Sequence, residues 1–338
     1  MTLIVNGQAT TLTQEQLAER LKAMPAAQLA KAEVMLSAPA RYHVRGMAIN
    51  IVTKDYAGTN QLSGQIIGGM EQNKYAKGFG NVYLSMQRGK FGLDAQYKLV
   101  NGNSYGESSR IANHPLANNR VHYTDETGQK SFGITHDYRL GMNYAFSKNH
   151  RLDVAYTGQW DKTSSNSQTT GSSNSGMHSD SHEYLQNVDA NYTLPFGLTL
   201  SGSYTYYRTP QQQTLDGTIH TDENTTDMER NLRSGSEQTI NKWMFTADQT
   251  HSLANGWGLS YGVKGQFTSN KSYQTTIDKD GSVLPDGTSS VDINERIWNM
   301  YAGFSKQINK AVSVEASVAA EQYHSPVWDK SRVYPTLN

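Results

Sequence analysis

The sequence predicts an all-β antiparallel transmembrane β-barrel preceded by a small α/β domain. Three observations lead to this fold class. Apolar and polar residues alternate over long segments after residue 60, short connections alternate with long polar ones, and aromatic residues gather near the ends of the alternating segments. A period of two places apolar side chains on one face of a strand and polar side chains on the other.

Composition agrees with this prediction. The 338 residues contain 30 Lys plus Arg and 30 Asp plus Glu, so the balance of charge does not favour a nucleic-acid partner. Cysteine is absent, which excludes a disulfide framework and thiolate metal sites. The mean hydropathy of −0.66 is compatible with a membrane barrel, because only every second residue of a strand faces lipid.

The first 58 residues predict a small α/β domain, because helical and strand patterns follow one another at short intervals. Thr13 is a suitable N-cap, and Pro25 a suitable end, for a helix that carries Leu17 and Leu21 on one stripe. The predicted elements are a strand and turn over residues 2–7, this helix over 14–24, a strand over 32–36, a loop over 39–46 and a strand over 48–54.

From residue 61 onward the period is that of a strand. In one example, Phe91, Leu93, Ala95, Tyr97 and Leu99 alternate with polar or small residues. About eleven strands are predicted, many with nine or more alternating residues, and a membrane-crossing strand needs about 9–11 residues. Similar alternation covers residues 138–146, 152–160, 188–194, 198–206, 257–263, 298–304 and 312–318.

The connections between these strands alternate in length, as periplasmic turns and extracellular loops do in membrane barrels. Aromatic residues near strand ends predict a girdle at the lipid interface. The short turns are residues 88–90, 147–150, 194–197, 253–256 and 307–310, and the long polar loops are 100–120, 161–182, 209–238 and 268–294. The aromatic residues are Tyr138, Trp160, Tyr206, Tyr207, Trp257 and Trp298.

No local motif predicts an enzyme, a metal site or a cofactor. Residues 178–183 contain two His and two acidic residues, a pattern that more often belongs to a solvated loop than to a metal site. Asp278-Lys279-Asp280-Gly281 has its glycine too early for a calcium loop and favours a hairpin turn. The Ser- and Asn-rich segment 161–182 is expected to be mobile, either as a ligand-gathering loop or as a tolerated insertion.

The first 60 residues resemble the C-terminal half of the plug domain of TonB-dependent outer-membrane receptors, most closely the subgroup abundant in Bacteroidota. The motifs that carry this resemblance keep the order and spacing of that family, and the first barrel strand follows at about residue 62. They are Pro25, Glu33-Val34, Pro39-Ala40-Arg41-Tyr42, Gly46 and the strand Ala48-Ile49-Asn50-Ile51-Val52-Thr53-Lys54.

The resemblance implies a barrel of about 22 strands whose lumen is filled by a plug. Residues 1–58 would then be the C-terminal part of the plug and residues 59–338 the N-terminal part of the barrel. We expect the chain to be a fragment, because no signal peptide precedes Met1 and the last residues lie inside a strand-like segment. The partners implied for the full-length protein are outer-membrane lipid, the TonB complex, an extracellular solute and a surface lipoprotein.

The resulting hypothesis is a receptor that imports a scarce solute through the outer membrane of a Gram-negative bacterium. Arg41, Tyr42 and Arg45, in the predicted plug loop, are the candidate ligand-binding residues. Alternatively, the two arginines are structural and pair with lumenal carboxylates such as Asp94 or Asp153. Two other classes were considered: a non-transporting outer-membrane barrel, such as an adhesin or assembly protein, and a secreted soluble all-β binding module.

Overall fold

The computed structural model contains two β-sheets. In the part of the chain that it describes, no helix is long and apolar enough to cross a membrane. The described residues are 2–9, 17–18, 21, 24, 26, 29–54, 60–116, 119–219, 228–309, 313–327 and 329–337.

The N-terminal sheet has four strands in the order β2-β1-β4-β3. β1 is parallel to β4, whereas β2 and β3 are antiparallel to their neighbours. Its core consists of Ile4, Ala38 and Ala48, which are almost fully buried. The strands are β1 (Thr2–Val5), β2 (Gln8–Ala9), β3 (Leu29–Met35) and β4 (Ala48–Thr53).

The predicted helix over residues 14–24 falls largely outside the described residues. Leu17, Ala18 and Leu21 are helical, and Leu17 is only 1% exposed. The strands predicted over 2–7, 32–36 and 48–54 correspond to β1, β3 and β4, although β3 begins three residues earlier.

The second sheet has twelve antiparallel strands, β5 to β16, each paired with its neighbours in chain order, against about eleven predicted. Among the described strands, β5 and β16 pair on one side only. We call this sheet the wall. Its strands are β5 (Asn60–Gln72), β6 (Ala76–Arg88), β7 (Phe91–Leu116), β8 (Asn119–Ser147), β9 (His150–Gly171), β10 (Ser173–Thr193), β11 (Leu198–Ile219), β12 (Met228–Ser252), β13 (Trp257–Asp278), β14 (Ser289–Gln307), β15 (Ser313–His324) and β16 (Asp329–Leu337).

The short turns predicted at 88–90, 147–150, 194–197 and 253–256 are confirmed, whereas the one at 307–310 reaches beyond the described residues. Most of the predicted long loops are strands. β8 has 29 residues and β7 has 26, more than twice what a membrane crossing needs. The segment 161–182, expected to be mobile, is instead a regular hairpin in which Asp161 pairs with Glu183 and Thr169 with Ser175. Backbone pairing on both sides of each strand orders this segment without a core of apolar side chains.

The wall has two different faces, because residues paired directly across antiparallel strands point to the same side. We call the face toward the N-terminal sheet the plug-side face and the opposite one the outer face. The outer face carries an exposed apolar band that includes Val188, Leu200, Met300 and Val318, each between 41% and 59% exposed. Such a band is the surface that a membrane barrel presents to lipid.

Aromatic residues border this apolar band at both ends. On β10 the outer face runs from Tyr184 to Tyr192, nine residues whose eight steps span about 27 Å along the strand. This length suits a tilted strand crossing an apolar band of about 25 Å. Five of the six predicted girdle residues lie on the outer face: Tyr138, Trp160, Tyr206, Trp257 and Trp298. The sixth, Tyr207, points to the plug side because it directly follows Tyr206.

Candidate functional site between the N-terminal sheet and the wall

The N-terminal sheet contacts the wall through residues 39–46, which we call the docking loop. Pro39 leads into a 3-10 turn over Ala40–Tyr42, and the backbone N–H of His43 closes the turn by donating to the carbonyl of Ala40 at 2.9 Å. His43 has a φ of 53° and Gly46 a φ of 69°, so the chain reverses twice through left-handed conformations. A non-glycine residue in that region is held there by its surroundings.

Side chains of the docking loop point in two directions. Tyr42 and Val44 pack against the core of the N-terminal sheet. Ala40 packs against the wall residues Tyr301 on β14 and Ala319 on β15, all three of them at most 5% exposed. The loop therefore joins the two sheets.

His43 is a buried polar residue of this interface, with only 3% of its side chain exposed. Its Nε2 lies 2.8 Å from Oδ1 of Asp248, and its Nδ1 lies 2.9 Å from Oδ1 of Asn299. The ring meets Tyr301 edge to face at a centroid distance of 5.1 Å. Lys264 donates to the backbone carbonyl of His43 at 3.0 Å, so three wall strands hold one residue of the docking loop.

The two arginines of the docking loop form ion pairs with the wall. Arg41 Nη1 lies 2.9 Å from Glu315 Oε2, and Arg45 Nη2 lies 3.0 Å from Glu321 Oε1. The guanidinium of Arg45 also stacks over the ring of Tyr334 on β16, at 3.9 Å from the centroid. These pairs hold the loop against the wall through β15 and β16.

The alternative prediction, that the two arginines pair with lumenal carboxylates, is correct in the kind of partner but wrong in the residues suggested, Asp94 and Asp153. Asp94 is paired with Arg139 at 3.0 Å, and Asp153 with Arg151 at 2.7 Å, both within the wall. The arginines of the docking loop reach β15 instead. Of the three candidate ligand-binding residues, Arg41 and Arg45 lie at the interface, whereas Tyr42 faces the core of its own sheet. Their role in ligand binding stays a prediction.

A polar cavity of about 470 Å³ lies beside this contact, between the N-terminal sheet and strands β5 to β12. Asn6 and Lys54 line it on the plug side, and the ion pairs of Arg139 and Arg151 line it on the wall side, together with Asp189. The N-terminal sheet is therefore attached along one part of the wall and separated from another part by polar space.

This arrangement combines weaker and stronger contacts. Ion pairs that remain partly exposed contribute only about 1 kcal/mol or less each, because water screens them and hydrates the separated charges. The buried polar contact of His43 and the apolar packing of Ala40 against Tyr301 and Ala319 add to them. The N-terminal sheet is therefore attached to the wall by ionic, polar and apolar contacts together.

Sequence reasoning missed most of this interface, including His43 itself. One signal was available: Asn299 and Glu315 are polar residues flanked by apolar neighbours in alternating strands, which places them on the plug side. Their partner could not be deduced, because His43 and Asn299 are separated by 256 residues.

Comparisons with known proteins agree with the wall geometry. Residues 196–331, which include β11 to β15 and the first residues of β16, match the model of the outer membrane protein beta-barrel family. A search of curated protein sequences gives no significant match.

Among solved structures, the chain is similar to three receptors. The ferric yersiniabactin uptake receptor FyuA from Yersinia pestis has 14% identity, coverage of 96% of this chain and 60% of that chain, and a TM-score of 0.40. The ferric citrate transporter FecA has 12% identity, 95% and 61% coverage, and a TM-score of 0.35. The siderophore receptor PiuA from Acinetobacter baumannii has 10% identity, 95% and 57% coverage, and a TM-score of 0.35.

The chain thus spans about three fifths of the length of these receptors, and scores this low carry no weight for function. The fold and location rest on the family match and on the apolar outer band with its aromatic borders. The chain forms an antiparallel transmembrane β-sheet of the outer-membrane β-barrel type, located in the outer membrane of a Gram-negative bacterium.

Proposed function

We propose that this chain is the plug-and-wall portion of a TonB-dependent receptor that imports a solute across the outer membrane. Residues 1–58 act as the C-terminal part of the plug and residues 59–338 as part of the barrel, in the subgroup of Bacteroidota that the plug motifs resemble. The observation that carries this proposal is the docking loop, because a separate small sheet is held against the plug-side face of a membrane wall mainly by polar contacts, with one small apolar cluster around Ala40.

A static outer-membrane barrel has no need for such a contact. A wall made rigid for adhesion or assembly gains more from apolar packing than from ion pairs, which stabilise weakly where they are exposed. Polar contacts beside a polar cavity suit a domain that has to leave the wall when it is pulled. The TonB complex would supply that pull in the full-length protein, and a surface lipoprotein is a further partner that we propose from the resemblance alone.

The open edges of the wall are consistent with a larger barrel. Backbone groups in lipid need hydrogen-bond partners, because no water is present to satisfy them. We therefore expect the outer edges of β5 and β16 to be paired in the membrane.

The test asks whether uptake of a solute requires the docking loop to leave the wall. The chain contains no cysteine, so Arg45→Cys with Glu321→Cys can be bridged selectively by a short bismaleimide in a full-length receptor from which any cysteine outside this chain has been replaced by serine. Cells are given a labelled panel of ferric citrate, a ferric catechol siderophore, cyanocobalamin, and neutral and anionic oligosaccharides. We expect energy-dependent uptake of at least one compound, lost without TonB and lost after bridging, while each single cysteine variant treated alike still imports. Uptake that survives both treatments, or none at all, would contradict the proposal.

A further inference from the structure

Both ring nitrogens of His43 face oxygen atoms of the wall. Nε2 lies 2.8 Å from Oδ1 of Asp248, and Nδ1 lies 2.9 Å from Oδ1 of Asn299. The amide of Asn299 presents its oxygen to the ring, while its nitrogen donates to the hydroxyl of Tyr334 at 2.8 Å. A neutral imidazole has one hydrogen and one lone pair, whereas the protonated ring donates from both nitrogens. The protonated ring is therefore the form that satisfies both contacts.

Burial makes the second proton important. His43 is 8% exposed and Asn299 is 1% exposed, so water has little access to the nitrogen that faces the amide. Without the proton, a ring lone pair would face an oxygen lone pair at less than 3 Å. A buried polar contact without its hydrogen costs free energy, and the negative charge of Asp248 favours the positively charged ring as well.

The other charged groups around His43 have partners of their own. Each arginine of the docking loop lies within 3.0 Å of a glutamate of β15, and Lys264 donates to the backbone carbonyl of His43, not to its ring. The ring therefore makes its charged contact with Asp248. The titratable groups that surround it are Arg41 and Arg45 of the docking loop, Asp248 of β12, Lys264 of β13, Tyr301 of β14, Glu315 and Glu321 of β15, and Tyr334 of β16.

We infer that attachment of the docking loop is coupled to the binding of one proton at His43, which makes this contact a pH-sensitive latch. In the attached state both ring nitrogens carry hydrogens. Once the loop has left the wall, water can satisfy either form of the ring, so the proton is no longer required. The inference adds regulation to the proposed function and rests on it for its role in the cell.

The direction of the pH dependence follows from this coupling. A contact that binds a proton is fully present at low pH and weakens as the pH rises. Free histidine loses its proton near about pH 6.5, so attachment should be strongest below that value and weaken above it. One proton sets a limit of about tenfold in the attachment equilibrium per pH unit.

The test is tryptic cleavage after Arg41 and Arg45 in the full-length receptor in lipid vesicles, compared between about pH 6 and about pH 8. Each rate is divided by the rate for a free peptide of residues 36–50 at the same pH, which removes the pH dependence of trypsin. We expect the corrected rate to rise by at least about fivefold in the unmodified receptor. In His43→Gln it should stay constant within about twofold, because the carboxamide still forms hydrogen bonds but does not titrate.

A matched control and a direct measurement complete the test. His150→Gln changes a histidine that contacts Tyr192 on the outer face, and it should keep the full pH dependence. In nitrogen-15 NMR at about pH 7, the His43 signals, identified by their loss in His43→Gln, should show hydrogens on both ring nitrogens.

A corrected rate that does not change with pH, or that changes equally in His43→Gln, would overturn the inference. So would a bare Nδ1 at His43, because the amide of Asn299 would then be turned with its nitrogen toward the ring. The uptake panel separates this failure from failure of the proposed function. TonB-dependent import with pH-independent cleavage would remove only the latch, and pH-dependent cleavage without import would remove only the proposed function.

Discussion

The wall has a lower zone, which contacts the docking loop through β12 to β16 and lines the cavity through β5 to β12. Its upper zone comprises residues 127–133 of β8, 163–169 of β9, 175–181 of β10, 209–215 of β11, 232–238 of β12 and 268–276 of β13. The zones share strands β8 to β13 but differ in what their plug-side residues contact. In the lower zone, charged and buried polar groups such as Asp248 and Glu321 hold the docking loop. In the upper zone, hydroxyls and carboxamides such as those of Ser165 and Gln211 contact one another across strands. Strand pairing therefore builds the wall at every height, whereas the side chains at each height determine whether the wall holds the N-terminal sheet or faces solvent.

A large effect is expected from removing Asp248, the carboxylate partner of His43. In Asp248→Ala the imidazole loses a contact of 2.8 Å at a site where 3% of the His43 side chain and 23% of the Asp248 side chain are exposed. Losing a hydrogen bond to a charged group costs about 1.5–3 kcal/mol, so release of the docking loop should become roughly 10- to 100-fold more favourable. The measurement is the rate of tryptic cleavage after Arg41 and Arg45 in the membrane-embedded receptor.

A matched control is available in the same zone. Asp94→Ala removes a carboxylate that pairs with Arg139 and not with the docking loop. Its cleavage rate at the docking loop should stay near that of the unmodified protein. If both variants release the loop equally, the attachment does not depend on His43.

The next prediction concerns the outer face of the wall, which faces lipid in the apolar band but not in the upper zone. Val188→Arg places a charge in the middle of the apolar band, where it should lower the free energy of unfolding in lipid vesicles by about 2–4 kcal/mol. Gln212→Arg makes a similar change on the outer face of the upper zone and should change it by less than about 0.5 kcal/mol. If urea titrations give equal losses of unfolding free energy for the two variants, the apolar band has been assigned to the wrong height of the wall.

Much of this comparison could be predicted from the sequence, and the exceptions have physical causes. Alternation identified the strands because the period of two is local, and the same pattern places Asn299 on the plug side, although the sequence analysis did not single it out. It failed for residues 161–182, since low apolar content says nothing about backbone pairing with β8 and β11 on both sides. It also could not assign Glu315 and Glu321 to Arg41 and Arg45, because ion pairs across more than 270 residues leave no local pattern.

A smaller effect is expected at the ion pairs of the docking loop. Arg45 and Glu321 keep 36% and 25% of their side chains exposed, so solvent screening limits the pair to about 1 kcal/mol or less. Glu321→Gln should therefore accelerate tryptic cleavage of the docking loop by about fivefold at most. Raising the salt concentration should shrink the difference between this variant and the unmodified protein, and a salt-independent difference would contradict an ionic origin.

The smallest effect is expected from a single hydroxyl of the upper zone. Ser165 is 8% exposed and accepts from Gln129 at 2.7 Å and from Ser131 at 3.0 Å. Cross-strand contacts of this kind contribute about 0.2–1 kcal/mol, and the neighbouring hydroxyls can re-form bonds with one another in Ser165→Ala. The rate of hydrogen exchange at the β9 amides should therefore rise by fivefold or less, which corresponds to a loss of at most about 1 kcal/mol. Cleavage of the docking loop should not change, because no contact described for Ser165 reaches the N-terminal sheet; a change there would show that the two zones are coupled rather than independent.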